Sequence, residues 1–197
     1  MRLTDKKPLI AISPIPVDIW YEGPTLVVAD KPPGMAVYPE TPESRDTLVN
    51  ALLQSNRWLA DMETSQAPGV LHALHPADRG LVAVAKTEDA FATVQDLLAQ
   101  GRLTFSYRVT LPNTLPVDDT AAVTIVDQVT YGDTRVVDLD TPVGDTRTLR
   151  QTWLRGTTED VYFVLYRLAI PLEEGVLEVA LGDRTPLPQI DLYTAPP

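Results

Sequence analysis

The spacing of apolar positions changes character along this chain, and the changes predict its elements. Ile19-Trp20-Tyr21-Glu22 and the β-branched run 25–29 read as two short strands joined by the Gly23-Pro24 turn. Asp30-Lys31-Pro32-Pro33-Gly34 then makes a rigid turn, and 35–38 resumes an extended path. Residues 48–53 form a short apolar helix, for which either Asp46 or Thr47 is a suitable cap. Residues 54–68 read as a loop with a helical turn. The unbroken apolar run 81–85 is a further strand. Ala90, Phe91, Val94, Leu97 and Leu98 then recur at helical spacing, between a Thr87 cap and a terminating Gly101.

From Leu103 onward a period of two takes over. Phe105, Tyr107 and Val109 alternate against Thr104, Ser106 and Arg108. Further strands are expected at 121–129, 134–139, 148–154, 161–170 and 176–181, separated by Gly, Pro and Asp turns. Pro8, Pro14 and Pro16 make residues 1–17 an irregular N-terminal arm. Helices early and strands late give an α+β class with a largely antiparallel sheet. No repeat, low-complexity tract or linker divides the chain, so residues 1–197 are expected to be a single domain.

Composition narrows the function classes. The chain has 197 residues, 44% of them apolar, and no cysteine, so disulfides and thiolate metal sites are excluded. No window approaches the roughly 18 consecutive apolar residues of a membrane span, and the N-terminus is a poor signal peptide. A cytoplasmic protein without membrane partners is expected. The net charge of −11 weakens any RNA partner, because nucleic-acid affinity comes largely from basic side chains.

Candidate chemistry gathers in Gly69–Thr87, which holds both histidines of the chain, His72 and His75, with Asp78 and Arg79 close behind. The H-x-x-H-x-x-D spacing offers two imidazoles and a carboxylate to a metal. Pro76 interrupts any helix there, however, and a solvated loop is the better reading. Ser106 has no identifiable partner for a nucleophilic triad, and the glycines and prolines around Lys31 lack phosphate-loop spacing. No metal or other cofactor is expected.

The order of landmarks resembles the RluA family of RNA pseudouridine synthases. Leu26-Val27-Val28-Ala29-Asp30-Lys31-Pro32-Pro33-Gly34 is similar to that family's opening strand and Asn-Lys-Pro-x-Gly turn. Thr47-Leu48-Val49-Asn50-Ala51-Leu52-Leu53 is similar to its first helix. Gly69-Val70-Leu71-His72 and Gly80 through Thr87 bracket its catalytic loop, and 102–111, with Tyr107, resembles the strand that follows. Arg184-Thr185 and Gln189-Ile190-Asp191-Leu192 look like a disrupted remnant of its Gly-Arg-Thr-His-Gln-Ile-Arg-Val segment. The resemblance covers roughly residues 17–111 well. It implies a pseudouridine-synthase-like fold, a mostly antiparallel mixed sheet with a few flanking helices and a central cleft, here without a separate N-terminal RNA-binding domain.

The same resemblance shows where this chain departs. The family's loop reads His-Arg-Leu-Asp-x-x-Thr-Ser-Gly-Leu, whereas this one reads His72-Ala73-Leu74-His75-Pro76-Ala77-Asp78-Arg79-Gly80-Leu81. Aligned without a gap, the catalytic aspartate falls on His75 and the neighbouring base-displacing arginine on Ala73. The late arginine that pairs with the catalytic carboxylate falls on Asp191, which suggests an inverted His75–Asp191 pair. The resemblance therefore implies a homologue whose uridine-to-pseudouridine isomerase activity is lost and whose role is to bind RNA or protein. The alternative is an active synthase with a rearranged site using Asp78 and Tyr107. His75, Asp78 and Tyr107 are the candidate catalytic residues; His72, Arg79 and Asp191 are the candidate substrate-binding residues. The implied partners are structured RNA (rRNA or tRNA) or a protein.

Overall fold

The computed structural model describes residues 14–41, 43–56, 58–59, 69–156 and 160–182. Eight strands form one sheet: β1 (Asp18–Glu22), β2 (Leu26–Lys31), β3 (Arg79–Ala85), β4 (Thr104–Pro112), β5 (Thr124–Tyr131), β6 (Thr134–Thr141), β7 (Tyr162–Leu172) and β8 (Gly175–Ala180). Their spatial order is β1-β2-β3-β7-β4-β6-β5, with β8 paired to the later part of β7. Every pairing is antiparallel except β3 with β7, which is parallel. Among the described residues, three helices, α1 (Leu48–Ser55), α2 (Glu88–Ala99) and α3 (Thr146–Thr152), complete the α+β architecture that the hydrophobic pattern predicts.

The pattern succeeds where burial is strong. All of β2 is buried, as are Gly80–Ala85 of β3, which accounts for their unbroken apolar runs. On β4, Phe105, Tyr107, Val109 and Leu111 all lie in the core. Thr47 is the cap of α1: its hydroxyl accepts from the Asn50 backbone N–H, while the Asn50 side chain accepts from the Thr47 N–H. Because this reciprocal arrangement satisfies two otherwise orphaned donors, Thr47→Ala is expected to cost about 1 kcal/mol in urea unfolding. At the end of α2, the N–H of Gly101 bonds to the Leu98 carbonyl and that of Arg102 to the Leu97 carbonyl. That double bond needs the left-handed φ of +65° found at Gly101.

One element departs from the prediction. Residues 148–154, expected as a strand, lie largely within α3. The threonines at 146, 148 and 152 suggest β structure, but Asp145 caps a helix by accepting from the Arg147 N–H and the Thr148 hydroxyl. Thr146, Leu149, Arg150 and Trp153 then form one buried face at helical spacing. Tertiary burial of that stripe overrides the local propensity.

The parallel contact between β3 and β7 is short, Arg79 to Val164 and Gly80 to Leu165. It is the seam joining the β1-β2-β3 half to the β7-β4-β6-β5 half. Gly80 sits there with φ +133°, and a Cβ at this position would run into the Leu165 backbone. The seam therefore requires glycine, and it lies directly after the loop that carries the candidate chemistry.

Candidate functional site

The loop 69–78 is held by several surrounding elements. Its start runs along β3, with the Leu71 N–H bonded to the Ala83 carbonyl and the Ala85 N–H to the Gly69 carbonyl. His72 folds inward against Phe105 at 4.9 Å between ring centres. Its Nε2 accepts from the Ala83 N–H at 3.1 Å, which fixes the tautomer and leaves Nδ1–H to donate to the Gly144 carbonyl at 3.3 Å. Neither nitrogen is left for a metal. Burial pushes the imidazole pKa down from 6.5 to about 4, so His72 is neutral at neutral pH. It organises the loop floor.

His75 is half-buried at the turn of the loop. Its backbone N–H donates to the Thr146 hydroxyl at 2.8 Å, tying the loop to the start of α3. Its Nδ1 accepts from the Ala77 N–H. Partial burial, reinforced by the Arg150 guanidinium, holds its pKa below the ordinary value of 6.5. His75 thus presents a neutral ring at pH 7.

Asp78 has no exposed surface. Its two oxygens receive a bidentate Arg150 guanidinium at 2.6 and 2.7 Å, and one of them also accepts from the Phe163 N–H at 3.1 Å. Arg150 spends a further donor on the Val161 carbonyl and lies over the Phe163 ring, 4.8 Å from its centre. The loop, α3 and β7 therefore meet at one buried ion pair. Beneath it Lys31, also without exposed surface, donates to the carbonyls of Pro32, Met35, Pro76 and Asp78. Its pKa falls from 10.5 to about 8, mainly by burial. The ammonium pins the second half of the loop to the turn after β2.

The remaining candidates point elsewhere. Tyr107 is buried edge-on against Phe163 at 5.8 Å, and its hydroxyl donates to the Val143 carbonyl. Burial raises its pKa well above 10, so it is neutral at all working pH. Arg79 pairs with Asp30 of β2 at 2.9 Å. Asp191, and with it the suggested His75–Asp191 pair, lies outside the described residues. His72, His75, Asp78 and Tyr107 thus cluster around the loop and α3, whereas Arg79 faces the β1-β2 side.

A strand over 148–154 gives Arg150 no inward role, and Thr146 precedes it unnoticed; both belong to α3 instead. The signal was present: Thr146, Leu149, Arg150 and Trp153 follow i, i+3, i+4, i+7, with a charge inside the apolar stripe. Lys31 was visible only as part of a turn. Beside the loop, a groove of about 440 Å³ opens between residues 70–73, residues 142–145, Tyr38 and Leu98.

Known proteins share this fold and parts of this sequence. No family model matches the chain. It is 41% identical over 81 residues to an uncharacterized RNA pseudouridine synthase of Synechocystis, covering 41% of this chain and 25% of that protein. It is 36% identical over 95 residues to ribosomal large subunit pseudouridine synthase D of Zymomonas mobilis, covering 48% and 30%. For YlyB of Bacillus subtilis, an uncharacterized RNA pseudouridine synthase, the figures are 29% over 110 residues, 56% and 36%. The matches thus span between a quarter and somewhat over a third of these relatives' length. Among solved structures, human RNA pseudouridylate synthase domain containing 1 superposes with a TM-score of 0.59 at 15% identity, over 98% of this chain and 90% of that one. Human RNA pseudouridylate synthase domain containing 4 gives 0.58 at 15%, over 89% and 90%. The fold is therefore shared along nearly the whole chain, while sequence identity is confined to part of it. The chain thus has the fold of pseudouridine synthase domains and, over part of its length, is similar in sequence to RNA pseudouridine synthases.

Proposed function

We propose that this chain is a pseudouridine-synthase homologue that has lost uridine isomerisation and kept a binding role toward RNA or protein. One observation carries the reading: the nearest carboxylate of the loop, Asp78, is fully buried with both oxygens engaged. A glycosidic bond can be attacked, or a sugar proton removed, only by a group within reach of the substrate. Asp78 presents no free face to a ribose, and His75 is neutral and cannot balance a developing oxocarbenium. Tyr107 is protonated and turned to a backbone carbonyl. The rearranged site built on Asp78 and Tyr107 would require α3 to leave its place. A cytoplasmic setting suits the cysteine-free composition.

The test is incubation of the purified chain with total RNA from a strain lacking its gene, followed by mapping of pseudouridine. No new modified site is expected, and any reproducible one refutes the inactive reading. The variant Ala73→Arg, His75→Asp, Asp191→Arg, which rebuilds the family's loop and late arginine together, is expected to bind RNA more tightly than the natural chain. If it neither binds nor modifies RNA better, the assignment of His75 to the carboxylate position fails.

A further inference from the structure

The groove beside the loop has a chemistry of its own. Its walls include Leu71, Ala73, Leu98 and Val143, with half-exposed Tyr38 on the rim. Among the described lining residues the one charged side chain is Asp145; His72 is neutral, and no lysine or arginine is among them. Ala73 stands in this wall and leaves it open where a larger side chain would narrow it. The floor is preformed. His72 is fixed by two backbone partners, and Gly144 lies so close that a Cβ would strike the Phe105 ring and the His72 Cβ. The wall at Leu71 is also braced, by the Gln95 side chain donating to its carbonyl. A rigid apolar recess lowers the ordering cost of binding, and its volume is ample for a large side chain.

Resting on the reading that catalysis is lost, we infer that this groove docks a basic protein segment, an apolar anchor side chain flanked by lysine or arginine. Charge complementarity selects that occupant over RNA. Phosphates would meet Asp145 and a molecule of net charge −11, with no lysine or arginine among the described lining residues to release their counterions. An arginine or lysine beside the anchor meets a favourable carboxylate instead. Asp145 keeps its capping bonds to the Arg147 N–H and Thr148 hydroxyl, and its charge still acts across the rim.

The experiment titrates the isotopically labelled full chain with three probes: the capped tripeptides Arg-Leu-Arg and Glu-Leu-Glu, and an eight-residue oligouridine. Arg-Leu-Arg is expected to shift the backbone amides of Ala73, Val143 and Gly144 saturably, and Glu-Leu-Glu to bind at least about tenfold more weakly. Asp145→Asn, which retains a good cap, is expected to weaken Arg-Leu-Arg about fivefold and to flatten its salt dependence. Absence of saturable shifts, equal binding of both peptides, or tighter binding of oligouridine at the same amides would each overturn the proposal. So would shifts that grow with concentration of the free chain, which indicate a second copy, or peptide binding seen only after removal of residues 183–197, which indicates the chain's own tail. None of these outcomes bears on whether pseudouridine is formed, so the two readings fail separately.

Discussion

Replacing Arg150 with methionine destabilises the chain by about 3–5 kcal/mol, read as a lower urea midpoint at unchanged slope. The magnitude follows from what is stranded. Asp78 is without exposed surface and Arg150 nearly so, so removing the guanidinium leaves an interior carboxylate hydrogen-bonded to one backbone N–H, with the Lys31 ammonium as the remaining nearby positive charge. Asp78→Asn is expected to cost less: the amide still accepts from the Phe163 N–H, but Arg150 loses its counter-charge. The double variant Asp78→Leu, Arg150→Met recovers much of the loss, since apolar groups of similar volume often replace a buried pair at little net cost. A double-mutant cycle reads the coupling directly. If Arg150→Met costs less than about 1 kcal/mol, the pair is not the joint between loop, α3 and β7, and the case against Asp78 as a reactive group weakens with it.

The second large effect is a pH dependence set by His72. Its folded pKa of about 4 lies below the ordinary 6.5, so between those values the unfolded chain binds a proton that the folded chain does not. Stability therefore falls as the pH drops from about 6.5 toward 4 and gains no further slope from this residue below that. The full difference amounts to about 3 kcal/mol. Geometry gives the same sign: a second ring proton would sit on Nε2, facing the Ala83 N–H that it now accepts from. Urea unfolding at a series of pH values tests this, with His72→Gln as the control because it does not titrate. The natural chain is expected to lose about 3 kcal/mol more than the variant over that range. Parallel profiles would mean that His72 is readily protonated in place and that the loop floor is softer than its two hydrogen bonds imply.

These effects show which parts of the molecule were legible in advance. The strands 19–22, 25–29 and 81–85, the Thr87 cap and the Gly101 stop are local patterns, and each folds close to where it is read. The loop was found from its two histidines and its flanks. What it does was not legible, because the decisive partner of Asp78 lies 72 residues away on α3, in a segment whose threonines mimic a strand. A helix of seven residues gives a weak periodic signal, and a charged residue on its inner face reads as polar surface until its counter-charge is known.

The class of the fold, the resemblance to a family and the departures from that family's loop are all legible in residue order and apolar period. Which groups the loop leaves available emerges only from the packing of distant elements. His72 is spent on Ala83 and Gly144, Asp78 on Arg150 and Phe163, and Tyr107 on Val143. The physical reason is that a side chain's chemistry depends on its exposure and its charge partner, and both are set by contacts between elements far apart along the chain.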